Sequence, residues 1–352
     1  MTKELQQALD KLKLPVEGQL THSSASRISE FQVCPRGFFY SNILGWVKED
    51  RFHLDFGTAI HAGLEVMTAN VERGYDDKVI AAGIRAFIQS YNENIIDAND
   101  GAPKGIKNGS DALYDYGVQY AADKTRYKCL YTEISGTVPI AEGRFLRFRL
   151  DALVEDKDTG TLSLWDHKTL SRLDKSWNEK WERAVQVQVY LLALHYLAPM
   201  LGLHPGNVLI NGVQLKKPLA SGKPNNVFVR VPVGANEARL LMAIQNLNHW
   251  WDQMQWNYDI LASEKPEDPV MNAFPINGEA CSRWPCKTDG LCVNWINPLS
   301  RLNHRPPGLM DKPAYKDANT NWTVNLGEDT ELIPATPDND VSNEDNDTDS
   351  EE

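Results

Sequence analysis

Apolar and polar side chains alternate along residues 144–155 and again along 161–170, and a run of turn-formers, Asp156-Lys157-Asp158-Thr159-Gly160, separates the two stretches. Alternation with period two and a β-branched or aromatic bias predicts two strands joined as a hairpin. In the second strand Leu162, Leu164, Asp166 and Lys168 share one face, because successive side chains point to opposite sides. The leucines mark that face as interior, so an acid and a lysine are carried inward with them, where an unpartnered charge is costly. A turn centred on Asp158-Thr159 sets Asp151 across from Asp166. A turn centred on Thr159-Gly160 sets it across from Lys168. Both registers keep Asp151, Asp166 and Lys168 on one face.

Helical periodicity predicts the elements around this hairpin. A serine-capped helix with Ile28 and Phe31 on one face ends near Pro35. Another begins near Phe56 and runs to about Arg73, with Ile60, Leu64 and Met67 as its stripe and His61 beside it. Helices over 77–94 and 112–128 flank a polar, glycine-containing loop over 97–110, and Cys129 closes the second as a plain buried thiol. A strand over 130–140 carries Glu133. A long helix over 178–197 places Gln186 and Tyr190 four apart on one face. Strands over 207–216 and 227–233 form a second hairpin. A helix over 236–263 carries Trp250, Trp251, Trp256 and Tyr258, for which packing is favoured over stacking on exposed bases. The order predicts an α/β fold: a central mixed β-sheet of four or five strands flanked by helices.

Composition changes this picture in three ways. The chain has 352 residues, 42% of them hydrophobic, which is enough for one large core or two ordinary ones. No apolar run is long enough to span a membrane, and no signal-peptide core appears in the first residues. With five cysteines, this points to a reducing, cytoplasmic setting. The formal charge of −12 is concentrated: eleven acids and no Lys or Arg lie in residues 326–352, leaving −1 for the rest. A near-neutral body accommodates a local basic groove for nucleic acid, which a uniformly acidic one would not. Three segments are expected: a lead-in over 1–21, one domain over 22–300, and a disordered acidic tail over 301–352. The tail either solubilises the chain, docks on a basic protein partner or competes with DNA.

Two carboxylates and a lysine on one sheet face suit a metal-dependent phosphodiesterase, since the acids hold a hard divalent cation and the lysine helps with water and phosphate. A hairpin with a structural ion pair is the plain alternative. His61 is either an ordinary structural histidine or a ligand. A second constellation follows the last long helix. Cys281, Cys286 and Cys292, spaced C-x4-C-x5-C among turn-formers, suit an iron–sulfur cluster, a zinc site or free thiols, with Cys34 as the natural fourth.

Six short pieces then occur in one order: Ser24-Ala25-Ser26-Arg27 with Cys34-Pro35-Arg36, Gly57-Thr58-Ala59-Ile60-His61, Arg149-Leu150-Asp151, Asp166-His167-Lys168, Gln186 to Tyr190, and the late cysteine triplet. Over about residues 22–295 the chain resembles the RecB-like branch of the PD-(D/E)XK nuclease superfamily, in particular members with an iron–sulfur staple such as the CRISPR-associated and many phage exonucleases. The resemblance implies a restriction-endonuclease-like core whose N- and C-terminal helical parts are joined by a four-cysteine site. It implies that His61, Asp151 and Asp166 bind Mg²⁺ or Mn²⁺, with the His167 carbonyl as a further ligand. Lys168 would activate water, Gln186 and Tyr190 would contact substrate phosphate, and Glu133 would be an accessory acid. Cys34, Cys281, Cys286 and Cys292 would hold a [4Fe–4S] cluster, although the first two late cysteines stand four residues apart where two is the commoner spacing. The expected function is an Mg/Mn-dependent exonuclease on single-stranded DNA ends, in recombination, repair or phage DNA processing. A nucleic-acid-binding subunit with a vestigial nuclease site and a zinc-stapled interaction protein are the alternatives.

Overall fold

The computed structural model describes residues 19–48, 52–95, 103–170, 172–283, 288, 290–302, 304–311, 320–327 and 331–335. Cys286, nearly all of the expected lead-in and the acidic run from 336 onward lie outside the described residues. In chain order, β1 (His22–Ser24) leads into α1 (Ala25–Val33), whose first turn is capped by Ser24 accepting from the Arg27 amide. Then come β2 (Trp46–Lys48), α2 (Phe52–Ala69), α3 (Asp77–Asn94) and α4 (Ile106–Gln119). The central strands are β3 (Tyr127–Ala141), β4 (Arg144–Asp156) and β5 (Thr161–Leu170). They are followed by α5 (Lys175–Lys180), α6 (Val185–Met200), β6 (His204–Gln214), β7 (Val227–Val233) and α7 (Glu237–Ser263). A short α8 (Gly278–Arg283) precedes the short strands β8 (Leu309–Asp311), β9 (Trp322–Asn325) and β10 (Ile333–Pro334), of which β8 pairs with β2.

The sheet is mixed, as expected, but among the described residues it has eight strands, in the order β10-β9-β3-β4-β5-β6-β7 with β1 beside β4. The expected four or five strands fall short because β1, β9 and β10 are too brief to show a period. β9 is recruited by pairing with β3, where Ile134 meets Trp322, and with β10 on its other side. β8, β9 and β10 lie past residue 301, where the disordered tail was expected to begin. The helix expected over 112–128 instead spans α4 and a short turn, and Cys129 sits in β3.

Helices cover both faces. One core gathers α1, α6 and α7 against Leu162 and Leu164, and the other gathers α2, α3 and α4 against Trp165 and Val154. β5 is therefore buried on both sides, with Ser163, Trp165 and His167 as enclosed as the leucines. α6 has ten of its sixteen residues buried, which makes it a central rather than a surface helix. β5 and β6 are parallel, and α6 lies in the connection between them. A βαβ crossover sets the start of the helix over the carboxyl end of the first strand. Packing is the fate of Trp251, which is buried, whereas Trp256 is exposed. Among the described residues no helix is long and apolar enough to cross a membrane.

Candidate active site

The β4–β5 turn is four residues long, Lys157 to Gly160, and it is centred on Asp158-Thr159. The ladder pairs Ala152 with Trp165, so the next step sets Asp151 opposite Asp166, the first of the two registers. There the ladder gives way to a side chain: Asp151 Oδ2 accepts from the His167 amide at 2.6 Å. The alternation of β4 also slips at this point, because Leu146, Phe148, Leu150 and Leu153 all lie in the first core. Glu133, opposite Asp151 in the β3 register, adopts φ 50°. The strands are locally distorted where the acids converge, a common device for re-aiming functional side chains.

Three elements supply the remaining groups. α2 brings His61, whose Nδ1 lies 3.5 Å from Asp151 Oδ2. β5 brings Lys168, whose ammonium is 2.9 Å from Asp166 Oδ1 and 2.7 Å from Oδ2. The start of α6 brings Gln186 and Tyr190. Gln186 Nε2 donates to the Tyr190 hydroxyl at 2.6 Å and lies 3.3 Å from Asp166 Oδ1. The Tyr190 hydroxyl donates to the Arg149 carbonyl at 2.7 Å and also lies 3.3 Å from Asp166 Oδ1. Gln186 and Tyr190 thus hold Asp166 rather than standing free for substrate. Glu133 forms a paired contact with Arg149, 2.9 and 2.7 Å, which ties β3 to β4 beside the site.

The two central carboxylates are held differently. Burial alone would raise Asp151, but His61, then His167 and Lys168, outweigh it and keep its pKa below the ordinary carboxylate range. Burial raises Asp166, with the neighbouring Asp151 pushing the same way and Lys168 only partly offsetting them. Burial works against the Lys168 ammonium, yet Asp166 and Asp151 raise its pKa. His61 is also raised, with Asp151 overcoming burial. Burial, then Asp151, lift Glu133 to about 7 against the pull of Arg149. The face therefore carries a firmly ionised Asp151, a protonated Lys168 and an incompletely compensated Asp166.

Two carboxylates and an imidazole make a hard, mixed O/N donor set that suits Mg²⁺ or Mn²⁺. Asp166 Oδ2 fits this chemistry, since it is buried and accepts no well-aligned hydrogen bond despite its closeness to Lys168. Among the described residues no three His, Cys, Asp or Glu side chains are gathered around one point. Each carboxylate faces its own cation instead, so binding an ion requires His61 and Lys168 to give up part of these contacts.

His167 points to the other face of the sheet. Its Nε2 lies 3.2 Å from Thr68 Oγ1, and its ring meets those of His61 and Tyr116 edge-on. Burial pushes its pKa down to about 3, so the ring is neutral. Thr68 was not legible as part of the site, because only the α2–β5 packing gives it a role. Glu65 could have been found: it lies four residues after His61, on the same face of α2. It accepts from Asn321 at 3.0 Å, close to the Glu133 carbonyl that receives the Asn321 amide.

The cysteines lie in another corner. Cys34 caps the short helix Pro35–Phe38, its sulfur receiving the Gly37 amide at 3.5 Å. Cys281 is exposed and Cys292 half-buried. The join between the N- and C-terminal parts is made visibly by Arg36, which is buried and donates to the carbonyls of Phe274, Met271 and Ile296. Asn277 adds a bond to the Val33 carbonyl at 2.8 Å. Cys129 is remote from this corner, and burial raises its thiol to about 12.

The sequence profile of the PD-(D/E)XK nuclease superfamily matches residues 22–292. No curated protein matches the chain. Among solved structures it is similar to the crystal structure of SSO0001, at 14% identity over 74% of this chain and 88% of that one. The TM-score is 0.28, which carries no argument.

Proposed function

Because this chain belongs to the PD-(D/E)XK nuclease superfamily, whose members generally use Mg²⁺ or Mn²⁺, we propose that it is a RecB-like deoxyribonuclease that digests DNA from single-stranded ends. The observation that carries this is the meeting of Asp151, Asp166 and Lys168 on one hairpin face beside His61. Asp166 there is poorly compensated for its burial. A buried acid of this kind is a binding group more readily than a structural one.

His61, Asp151 and Asp166 would hold the ion, with Gln186 and Tyr190 fixing Asp166. Bound there, a divalent cation lowers the pKa of attacking water and offsets charge on the phosphate. Lys168, paired with Asp166 at 2.7 Å, would serve as a cation against the developing phosphate charge. The His167 amide keeps Asp151 aimed. Cleavage of end-labelled linear and circular single strands in Mn²⁺ tests the assignment. Loss of the linear substrate with survival of the circle is expected. Cleavage of the circle would leave a nuclease but remove the end requirement.

In the second corner we propose that Cys34, Cys281, Cys286 and Cys292 bind a [4Fe–4S] cluster, with zinc as the alternative occupant. Among the described residues Cys34, Cys281 and Cys292 are not gathered around one point, and the support is that they belong to one corner: Asn277 holds the carbonyl next to Cys34 and begins the turn that presents Cys281, while Cys292 and Arg36 line one cleft. Iron and zinc analysis beside a visible spectrum distinguishes the two, and a metal-free protein would dismiss both.

A further inference from the structure

The connection from β5 to α6 begins two residues past Lys168 and ends at the helix that carries Gln186, and its charges do not balance in the way its composition suggests. It carries three carboxylates, Asp174, Glu179 and Glu182, all committed elsewhere. Asp174 pairs with Arg172 at 3.1 Å and caps α5. Glu179 pairs with Lys175 at 3.4 Å and Glu182 with Arg239 at 2.7 Å. Lys180 has no carboxylate within ion-pair distance among the described residues. Its ammonium lies over two indoles instead, 4.5 Å from the Trp181 centroid and 5.6 Å from that of Trp177.

The platform under Lys180 is built beside Lys168. Trp177 and Trp181 are buried and meet edge to face. Gly212 pairs with Lys168 across the parallel β5–β6 ladder, and a Cβ on Gly212 would come within 2.6 Å of the Trp177 ring. The indole thus occupies the space that a side chain at position 212 would need, next to Lys168. Partial burial, and then the charge of Lys168, hold the Lys180 pKa below its ordinary value. The two like charges oppose each other: Lys168 is paired with Asp166, whereas Lys180 sits on aromatic faces with Asp174, beyond ion-pair distance, only partly offsetting the repulsion. An anion resolves that repulsion, and a nucleic-acid strand entering the site brings one at every step.

We propose that Lys180, seated on Trp177 and Trp181, binds a backbone phosphate of the DNA strand adjacent to the phosphate cleaved at the Asp151–Asp166–Lys168 face. This rests on the proposed nuclease function and extends it to a substrate-positioning residue. A phosphate contact raises affinity and its salt dependence without reading sequence.

The test uses the full chain and a labelled single-stranded oligonucleotide, with Ca²⁺ in place of the catalytic ion, across a salt series. Lys180→Met keeps the apolar contact with the indoles and removes the charge. It is expected to weaken binding by roughly 3- to 10-fold and to lower the slope of log K against log salt by about 0.7. Lys180→Arg restores both, and kcat at saturating DNA in Mn²⁺ stays within about twofold of wild type for either variant. Wild-type affinity and slope in Lys180→Met would overturn the contact while leaving the nuclease assignment intact. A wild-type chain that neither binds nor cleaves DNA sinks that assignment, and this contact with it.

Discussion

Two ionic clusters stand back to back across β5, and they are satisfied to very different degrees. On one face Asp166 pairs with Lys168 beside the point where Asp151 meets His61 of α2, and these contacts leave Asp166 short of compensation. On the other, Arg230 binds both oxygens of Asp123, donates to Asn211 Oδ1 at 2.7 Å and to the Tyr116 hydroxyl at 3.2 Å, and stacks 3.6 Å over Tyr120. Its pKa rises despite burial, held by Tyr116 and Asp123. The second cluster is one cation and one anion with nearly every donor used. Burial is common to both, so burial does not distinguish structure from function here. Incomplete compensation does, because a group left wanting a cation can take one from solution.

The widest separation between the clusters is expected from paired removals. Asp166→Asn should reduce Mn²⁺-dependent cleavage by about 10³-fold or more while changing stability by only about 1 kcal/mol. Cleavage rates beside a denaturant melt measure both. Arg230→Met should do the reverse. It leaves Asp123 buried and unpaired, costing about 3–5 kcal/mol of stability, with near-normal kcat in the fraction that stays folded. If Arg230→Met abolished cleavage at full stability, the back cluster would belong to the site.

Smaller effects sharpen the boundary. Tyr190→Phe removes the hydroxyl that lies between the Arg149 carbonyl and Asp166. It should lower kcat/KM by about 10-fold, on the order of one charged hydrogen bond, with KM for DNA little changed. Thr68→Val is the mildest, since it removes one neutral hydrogen bond to His167, worth about 1 kcal/mol. Mn²⁺ titration should show affinity a few-fold weaker and Thr68→Ser should restore it. Identical affinity in all three proteins would disconnect Thr68 from the site.

The candidate face was legible because it depends on parity, and parity survives errors in turn length. The turn has four residues, Lys157 to Gly160, and its centre on Asp158-Thr159 still brings Asp151 opposite Asp166. Gln186 and Tyr190 were legible for a similar reason, being one helical turn apart at the start of the crossover helix. The back cluster was not. Arg230, Asp123, Tyr116 and Asn211 come from separate elements, with 107 residues between the partners of the central ion pair, and no local period links them. Lys180 stayed hidden too, since its surroundings read as an ordinary mixed-charge helix until each neighbouring carboxylate is seen to have its own cation. The short strands β1, β9 and β10 escaped because edge pairing, rather than their own pattern, makes them strands. Arg36 was visible only as part of the Cys-Pro-Arg piece, and its three carbonyl partners lie 235 to 260 residues away.

The central claim is that Lys168 and the two acids form one cation-dependent hydrolytic unit. Single-turnover cleavage of an end-labelled single strand, by wild type, Lys168→Ala and Asp166→Asn at matched folded concentration with Mn²⁺ and with EDTA, tests it most directly. Fast wild-type cleavage that EDTA abolishes, with both variants slower by about 10³-fold or more, is the expected result. Wild-type rates in either variant, or cleavage that persists in EDTA, would contradict it.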